Sequence, residues 1–182
     1  MVELFDEVDQ QDHPTGRKVT KAEAHQQNLL HRCVAVFVVA PGEKIYVQLH
    51  KKSGLLDHSV GGHVQASESY EAAAYREAEE ELGLRNAQLR PIATGLFSPE
   101  YTMQHMFGVY ECTAPPSWNF GPNDEVGELR LMDVASIVSH MNKHPRQFTP
   151  GFINTMHCYI KAKKLPYHLT VSGATWSDTD TI

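Results

Sequence analysis

Residues Gly62–Leu84 read GHVQASESYEAAAYREAEEELGL, and this stretch is the most informative part of the chain. It fits the pattern G-x5-E-x7-R-E-U-x-E-E-x-G-U, in which U is an aliphatic residue, at every fixed position. With average residue frequencies, a chance match has a probability on the order of one in 10⁹ per starting position. The loop-and-helix spacing therefore favours a functional site over an ordinary solvated acidic helix.

Residues 69–82 are predicted to form a helix, because they include good helix formers, contain no proline and are followed by Gly83 at the expected C-cap. Glu77, Glu80 and Glu81 have i, i+3 and i+4 spacing, which places three carboxylates on one helix face. Like charges at these spacings repel each other. The arrangement is favourable if a hard cation such as Mg²⁺ or Mn²⁺ lies among the carboxylate oxygens.

The other faces of this helix carry their own predictions. Arg76 lies beside the carboxylates and is expected to pair with Glu68, which would fix the preceding loop against the helix. Ala74, Ala78 and Leu82 are spaced by four residues and are expected to be buried against a sheet.

The stretch resembles the signature box of the Nudix superfamily, whose members are mostly Mg²⁺- or Mn²⁺-dependent pyrophosphohydrolases. The resemblance implies an α+β fold, the Nudix α/β/α sandwich, in which the box helix and a later helix cover a central mixed β-sheet. The resemblance also implies a diphosphate-containing small molecule as the substrate. At 182 residues the chain suits a single Nudix-like domain over residues 1–182, with a core at about 31–163 and a polar C-terminal tail at about 168–182.

Residue roles follow from the same resemblance. It implies that Glu77, Glu80 and Glu81, together with the carbonyl of Gly61, bind the metal ion. Arg76 and Glu68 would form the supporting pair.

The base that activates water has two candidates, since superfamily members take it either from the box helix or from a later loop. Glu77 is close to the metal ligands, but a metal-bound carboxylate retains little basicity. Glu125 lies in the polar loop Asn123-Asp124-Glu125, just before a predicted strand, or it only decorates a solvated turn. We favour Glu125 as the catalytic base.

Similarity to the isopentenyl-diphosphate-isomerase-like branch extends over residues 2–163. It includes the runs at 3–8, 25–38 and 57–63. True isomerases have a catalytic cysteine where this chain has Gly61, and they use a second acidic residue after the box where Glu100-Tyr101-Thr102 provides only one. An isomerase needs that acid and base in place, whereas polyphosphate hydrolysis needs a metal site and an activated water. We therefore expect a hydrolase, with a non-catalytic diphosphate sensor or an isomerase as alternatives.

The histidines leave two interpretations open. His25, His31 and His63 match positions that bind a metal in true isomerases, and clustered imidazoles suit Zn²⁺ or Mn²⁺. The alternative, which we favour, is that they make ordinary hydrogen bonds. Trp118 and Phe120, in a loop rich in turn formers, are expected to pack or to cap the cavity.

Composition limits the class of protein. A net charge of −6 argues against a nucleic-acid partner. The three scattered cysteines indicate reduced thiols and a cytoplasmic location. Neither a signal peptide nor a membrane span is expected. The sequence leaves open whether the protein forms a homodimer.

Besides the box helix, helices are expected at 133–142 and 150–163. Strands are expected at 2–8, 31–40, 44–50, 59–64, 88–97, 103–112 and 128–132.

Overall fold

The computed structural model describes residues 2–97, 105–115, 118–120 and 126–171. Its strands are β1 (Phe5–Val8), β2 (Pro14–Val19), β3 (His31–Ala40), β4 (Lys44–His50), β5 (Leu56–Asp57), β6 (Val60–His63), β7 (Arg90–Phe97), β8 (His105–Thr113) and β9 (Val126–Asp133). Its helices are α1 (Lys21–Gln26), α2 (Tyr70–Leu82), α3 (Val134–Lys143) and α4 (Pro150–Ala162), with a short 3-10 helix at Pro145–Gln147.

Strand β3 is the centre of a mixed sheet formed by the strands of the described residues. It pairs in parallel with β8 over nine residue pairs, from His31↔His105 to Val39↔Thr113. On its other edge it pairs antiparallel with β6 and then with β4. Strands β9 and β7 extend the sheet beyond β4 and β8. This pairing brings the ends of β3, β6 and β8 to one edge, where the site lies.

Alternation along β3 divides the core into two layers. Val34, Val36 and Val38 are buried in one cluster together with residues of α2, and Cys33, Ala35 and Phe37 are buried in another with residues of α3 and α4. Successive side chains of a strand point to opposite faces, so an uninterrupted apolar strand needs a cover on both sides. The fold is therefore the expected α/β/α sandwich around a mixed sheet.

The box helix packs as its spacing predicts. Ala74 and Ala78 are fully buried, and Leu82 is 4% exposed. Gly83 ends the helix in the left-handed conformation, with φ of 62°. The small side chains of Ala74 and Ala78 let α2 lie close to the sheet. The helix face that bears the carboxylates therefore lies beside β6.

The N-terminal segment contains two elements that the sequence analysis missed, β2 and α1. Helix α1 begins with a capping box, in which the Thr20 side chain accepts from the amide of Glu23 and the Glu23 carboxylate accepts from the amide of Thr20. This T-x-x-E signal is visible in the sequence. Only Ala24 is buried in the helix, so the apolar periodicity that usually reveals a helix is absent.

Three further predictions concern the cysteines, the membrane and the tail. Cys33 and Cys112 are buried and Cys158 is half-buried, all as free thiols. No helix of the described residues is long and apolar enough to cross a membrane. Leu169 is 5% exposed and packs in the core, so the chain is still packed just past residue 168; residues 172–182 lie outside the described part.

Candidate active site and metal centre

Close contact between β6 and α2 forms the floor of the site. Gly62 lies on β6 opposite Val34. A Cβ at Gly62 would lie 2.1 Å from the carboxyl carbon of Glu77 and 2.2 Å from one of its oxygens. Real atoms do not approach this closely, so the glycine of the box is required for the Glu77 carboxylate to occupy its position.

Arg76 holds the box loop and the acidic helix face together. Its guanidinium donates to both oxygens of Glu68 at 3.0 Å and to the carbonyl of His63 at 2.9 Å. Its Nη1 donates to Glu77 at 2.7 Å and to Glu80 at 3.1 Å. The predicted pair with Glu68 is thus present, and the same side chain also orients two of the three carboxylates.

This network sets the charge of its members. Burial alone would lower the pKa of Arg76, but the carboxylates of Glu68 and Glu77 outweigh it and raise that pKa above its ordinary value. Burial alone would raise the pKa of Glu68, but hydrogen bonds from Arg76 and from the amide of Gln65 hold it below its ordinary value. Both groups are therefore charged at neutral pH.

The structure brings the predicted metal-binding residues to a single cavity of about 400 Å³, lined among others by Glu77, Glu80, Glu81 and Gly61. Glu81 is 7% exposed, and one of its oxygens accepts from the amide of Gly61 and from Gln48, both at 3.3 Å. Three carboxylates that converge on one space offer only oxygen donors. This donor set fits Mg²⁺ or Mn²⁺.

Positively charged and polar side chains line other parts of the same cavity. Lys21, from α1, and Lys52 and His50, near the end of β4, all contribute to the lining. Ammonium groups bind phosphate oxygens as point charges. A cavity lined by both carboxylates and ammonium groups suits an anionic phosphate compound that binds together with a cation.

A group of four imidazoles, His25, His31, His63 and His105, also lines or borders this cavity. One ligand nitrogen from each lies within 4.8 Å of the others. Burial lowers the pKa of His25 to about 4 and lowers those of the other three, so these rings are neutral at neutral pH. The three histidines of the sequence analysis therefore lie together with His105, and His31 also has an ordinary hydrogen-bond partner in the carbonyl of Leu29.

Beside the carboxylates, a buried chain of hydrogen bonds connects the sheet to α4. Asp57 faces the Nδ1 of His58 at 2.7 Å and accepts from the Thr149 hydroxyl at 2.6 Å. The Nε2 of His58 lies 2.6 Å from the hydroxyl of Thr155. Because both ring nitrogens have partners, His58 acts here as a support between elements.

Several predicted residues lie elsewhere. The indole N–H of Trp118 donates to the carbonyl of Leu82 at 3.0 Å, and its ring packs edge-on against Tyr46. Trp118 and Phe120 pack against the core cluster that contains α2, as the packing alternative predicts, and they do not line the cavity. Glu100 and Glu125 lie outside the described residues.

Sequence reasoning missed His105, Lys21 and Lys52. His105 is the first residue of β8 and lies directly opposite His31 in the parallel pairing. The available signal was a histidine in the first three residues of each of two predicted strands, 31–40 and 103–112. A single sequence does not reveal which strands pair, so the signal could not be used.

Comparison with known proteins agrees with this geometry. An uncharacterised Nudix hydrolase of Streptomyces coelicolor is 36% identical over 110 residues, which cover 58% of this chain and 55% of that protein's length. An isopentenyl-diphosphate Delta-isomerase of Burkholderia multivorans is 29% identical over 172 residues, covering 87% of this chain and 92% of the isomerase. A crystal structure of a Deinococcus radiodurans protein matches with a TM-score of 0.66 at 26% identity, over 78% of this chain and 90% of that one. Residues 29–152, which are more than half of this chain, match the model of the NUDIX domain. The chain therefore belongs to the Nudix family.

Proposed function

We propose that this protein is a Mg²⁺- or Mn²⁺-dependent hydrolase that cleaves a pyrophosphate linkage in a nucleoside-diphosphate-type or other diphosphate small molecule. The observation that carries the proposal is the shared cavity, in which the carboxylates of α2 face the same space as Lys21 and Lys52. An arrangement of this kind supports binding of a phosphate anion together with a cation.

Glu77, Glu80 and Glu81 would hold the ion, with the carbonyl of Gly61 completing the set. When bound, the ion would neutralise charge on the diphosphate and make a bound water more acidic. Arg76 fixes the direction of the Glu77 and Glu80 carboxylates through its hydrogen bonds. Arg76 therefore acts in this proposal as a positioning residue for the metal ligands.

We also propose Glu125 as the base that accepts a proton from water. Two contacts support this choice over Glu77. Glu77 already accepts a 2.7 Å hydrogen bond from Arg76, so this carboxylate oxygen is engaged by another group. Val126, the neighbour of Glu125, pairs with His50, whose side chain lines the cavity.

The Glu125→Gln variant tests this role. We expect kcat to fall by about 10²–10⁴-fold, because general base catalysis contributes about that factor, with metal affinity nearly unchanged. Steady-state kinetics and metal titration would measure both. A loss below tenfold would return the role to Glu77 or to another loop residue.

Two other functions have weaker support. The isomerase named among the relatives belongs to the same branch, but Gly61 of this chain has no side chain to act where true isomerases have a cysteine. A non-catalytic diphosphate sensor would not need all three carboxylates to converge. The free, buried thiols of Cys33 and Cys112 support the cytoplasmic location that we propose with the hydrolase, and the net charge of −6 supports a small-molecule partner rather than nucleic acid.

A substrate panel with matched variants tests the hydrolase. Nucleoside diphosphate sugars, dinucleotides, coenzyme A and prenyl diphosphates would be incubated with Mg²⁺ or Mn²⁺, and released phosphate or nucleotide would be measured. We expect turnover that EDTA abolishes and that Glu80→Gln or Glu81→Gln removes. Glu79→Gln is the control, since Glu79 lies on the same helix but pairs with Arg85 at 2.9 Å.

The chelator, the two site variants and a binding measurement each have a result that would contradict the proposed hydrolase. Turnover that persists in EDTA, or in both site variants, would overturn the metal-dependent mechanism. Tight diphosphate binding without turnover of any panel compound would favour the sensor.

A further inference from the structure

We propose that Asp6, on the N-terminal strand β1, is a positioning residue for the carboxylates of α2 that would bind the metal ion. It would act through a turn at residues 65–68, which we call the box turn. This inference rests on the proposed function, because it concerns the same carboxylate site.

The box turn contains a residue in an unfavourable backbone conformation. The amide of Glu68 donates to the carbonyl of Gln65 at 2.9 Å, which closes a turn of four residues. Ser67 is the third residue of this turn and has φ of 67°. A positive φ at the third position is typical of a type II turn, where glycine is the usual residue because a side chain disfavours this conformation. Such a conformation persists only where the surrounding structure holds it.

The two strands of the N-terminal hairpin, β1 and β2, supply contacts that hold Ser67. Asp6 of β1 and Lys18 of β2 are paired positions in the hairpin. The amide of Ser67 donates to a carboxylate oxygen of Asp6 at 2.7 Å. The Nζ of Lys18 donates to the Ser67 hydroxyl at 3.3 Å. A hydrogen bond to an ionised acceptor is stronger than a neutral one, so the bond to Asp6 is the main restraint on the backbone of Ser67.

The segment that contains Asp6 runs alongside the box turn and contacts its other residues. The amide of Ala66 donates to the carbonyl of Leu4 at 2.7 Å. The side-chain amide of Gln65 donates to the Glu3 carboxylate at 3.1 Å. Residues 3, 4 and 6 thus contact residues 65, 66 and 67 in the same order, and the turn rests on the N-terminal segment along its length.

Strand β1 is itself fixed in the fold. Phe5 and Val8 are 1% and 3% exposed, and Glu7 pairs with His31 of the central strand β3. Asp6 therefore extends from a strand that the core holds in place. A carboxylate on such a support can restrain the turn rather than follow its movements.

The box turn connects directly to the proposed metal ligands. Glu68 is its last residue, and both oxygens of that carboxylate accept from Arg76 at 3.0 Å. The same guanidinium donates to Glu77 and to Glu80. A change of conformation at Ser67 would displace Glu68, and Arg76 would then lose the partner that orients it. Groups that orient metal ligands in this way affect metal affinity although they do not touch the ion.

Metal affinity in the absence of substrate tests the role of Asp6. Mn²⁺ would be titrated into the full-length protein and its variants in a calorimeter. We expect Asp6→Ala to raise the Kd for Mn²⁺ about tenfold with an unchanged number of sites, the lower end of the effect of removing an orienting group. Asp6→Asn keeps an oxygen that can accept from the Ser67 amide and should stay within about threefold of wild type. Glu7→Ala is the control, since Glu7 is the next carboxylate of β1 but accepts from Thr15 within the hairpin.

A second substitution distinguishes positioning from general damage to the fold. Glycine adopts a positive φ without steric cost, so it does not need the restraint from Asp6. In the double variant Asp6→Ala, Ser67→Gly we expect the Kd for Mn²⁺ to return to within about threefold of wild type, because the two positions act on one turn and their effects are coupled. A folding defect would instead reduce the number of binding sites per chain and leave their Kd unchanged.

The results that would overturn the role of Asp6 are specific. A Kd in Asp6→Ala equal to that of wild type, a reduced number of sites at unchanged Kd, or a double variant that binds as weakly as Asp6→Ala would each do so. Absence of Mn²⁺ binding in wild type would overturn both the proposed metal site and this role. Normal binding in wild type with the expected changes in the variants, but without turnover of any panel compound, would support the role of Asp6 and contradict only the hydrolase.

Discussion

Gly62 shows how a single residue controls the geometry of the candidate active site. In Gly62→Ala the new Cβ would overlap the Glu77 carboxylate, which is also bound by Arg76. The carboxylate must therefore move by about 1 Å or more, and misplacement of that size can cost about 10²-fold in rate. We expect a loss of that order in kcat, measured on the best substrate of the panel.

Thermal unfolding of Gly62→Ala distinguishes an effect on the geometry of the site from an effect on the stability of the fold. The displaced group is a flexible side chain at the edge of a cavity, so we expect the Tm to fall by only a few degrees. An activity within threefold of wild type would show that the position of Glu77 is not critical.

At the scale of single residues, the sequence predicted the contacts within the box but not the contacts between distant strands. Periodicity of 3.6 residues and the fixed spacing of the box predicted the shared face of Glu77, Glu80 and Glu81 and the Arg76–Glu68 pair. These are contacts within one loop and helix. His105 joins His31 through pairing between strands that are distant in sequence, and such pairing has no local signature.

At the scale of secondary-structure elements, Asp57 connects β5 with the N-terminus of α4. Burial alone would raise the pKa of Asp57, but the charge of His58 and the hydrogen bonds from His58 and Thr149 outweigh it and hold that pKa below its ordinary value. In the unfolded chain the carboxyl takes up its proton near its ordinary pKa of about 3.9. The stabilisation is thus present above about pH 4 and is lost as the pH falls through the lower, folded pKa.

Asp57→Asn should therefore be destabilised most at neutral pH. We expect a loss of about 1.5–3 kcal/mol at pH 7, typical of a hydrogen bond to a charged group, and a difference from wild type that shrinks below pH 4. Denaturant unfolding of both proteins across pH 3–7 measures this. Asp133→Asn is the control, because Asp133 is an exposed aspartate that makes no capping hydrogen bond at the start of α3. A difference that stays constant with pH would contradict the assignment.

Helices and strands were predictable from the sequence where their own residues show a clear apolar pattern or a clear start signal. The uninterrupted apolar run of β3 and the Thr149-Pro150 start of α4 were sufficient to predict those elements from the sequence. Helix α1 and strand β2 were not predicted, since β2 is exposed at five of its six positions and α1 buries one residue. Their positions depend on contacts with the rest of the fold, including the histidines.

At the scale of the whole molecule, one fold accommodates relatives with different chemistry. This chain shares 29% identity with an isomerase over most of both lengths. A fold is therefore a poor guide to the reaction, and the decision rests on side chains at a few positions. In this chain the position of the isomerases' catalytic cysteine is Gly61, whose amide donates to Glu81.

Isomerase activity is the sharpest test at this scale. We expect no interconversion of isopentenyl and dimethylallyl diphosphate by the protein loaded with Mg²⁺ or Mn²⁺, because protonation of an alkene carbon needs a strong acid opposite a base. Gly61 provides no side chain for either role. Isotope-labelled substrate and mass spectrometry would measure both directions, with a true isomerase as the positive control. Product formation at enzyme-like rates would contradict the assignment, and comparison with Glu81→Gln would then show whether the carboxylate site supplies the chemistry.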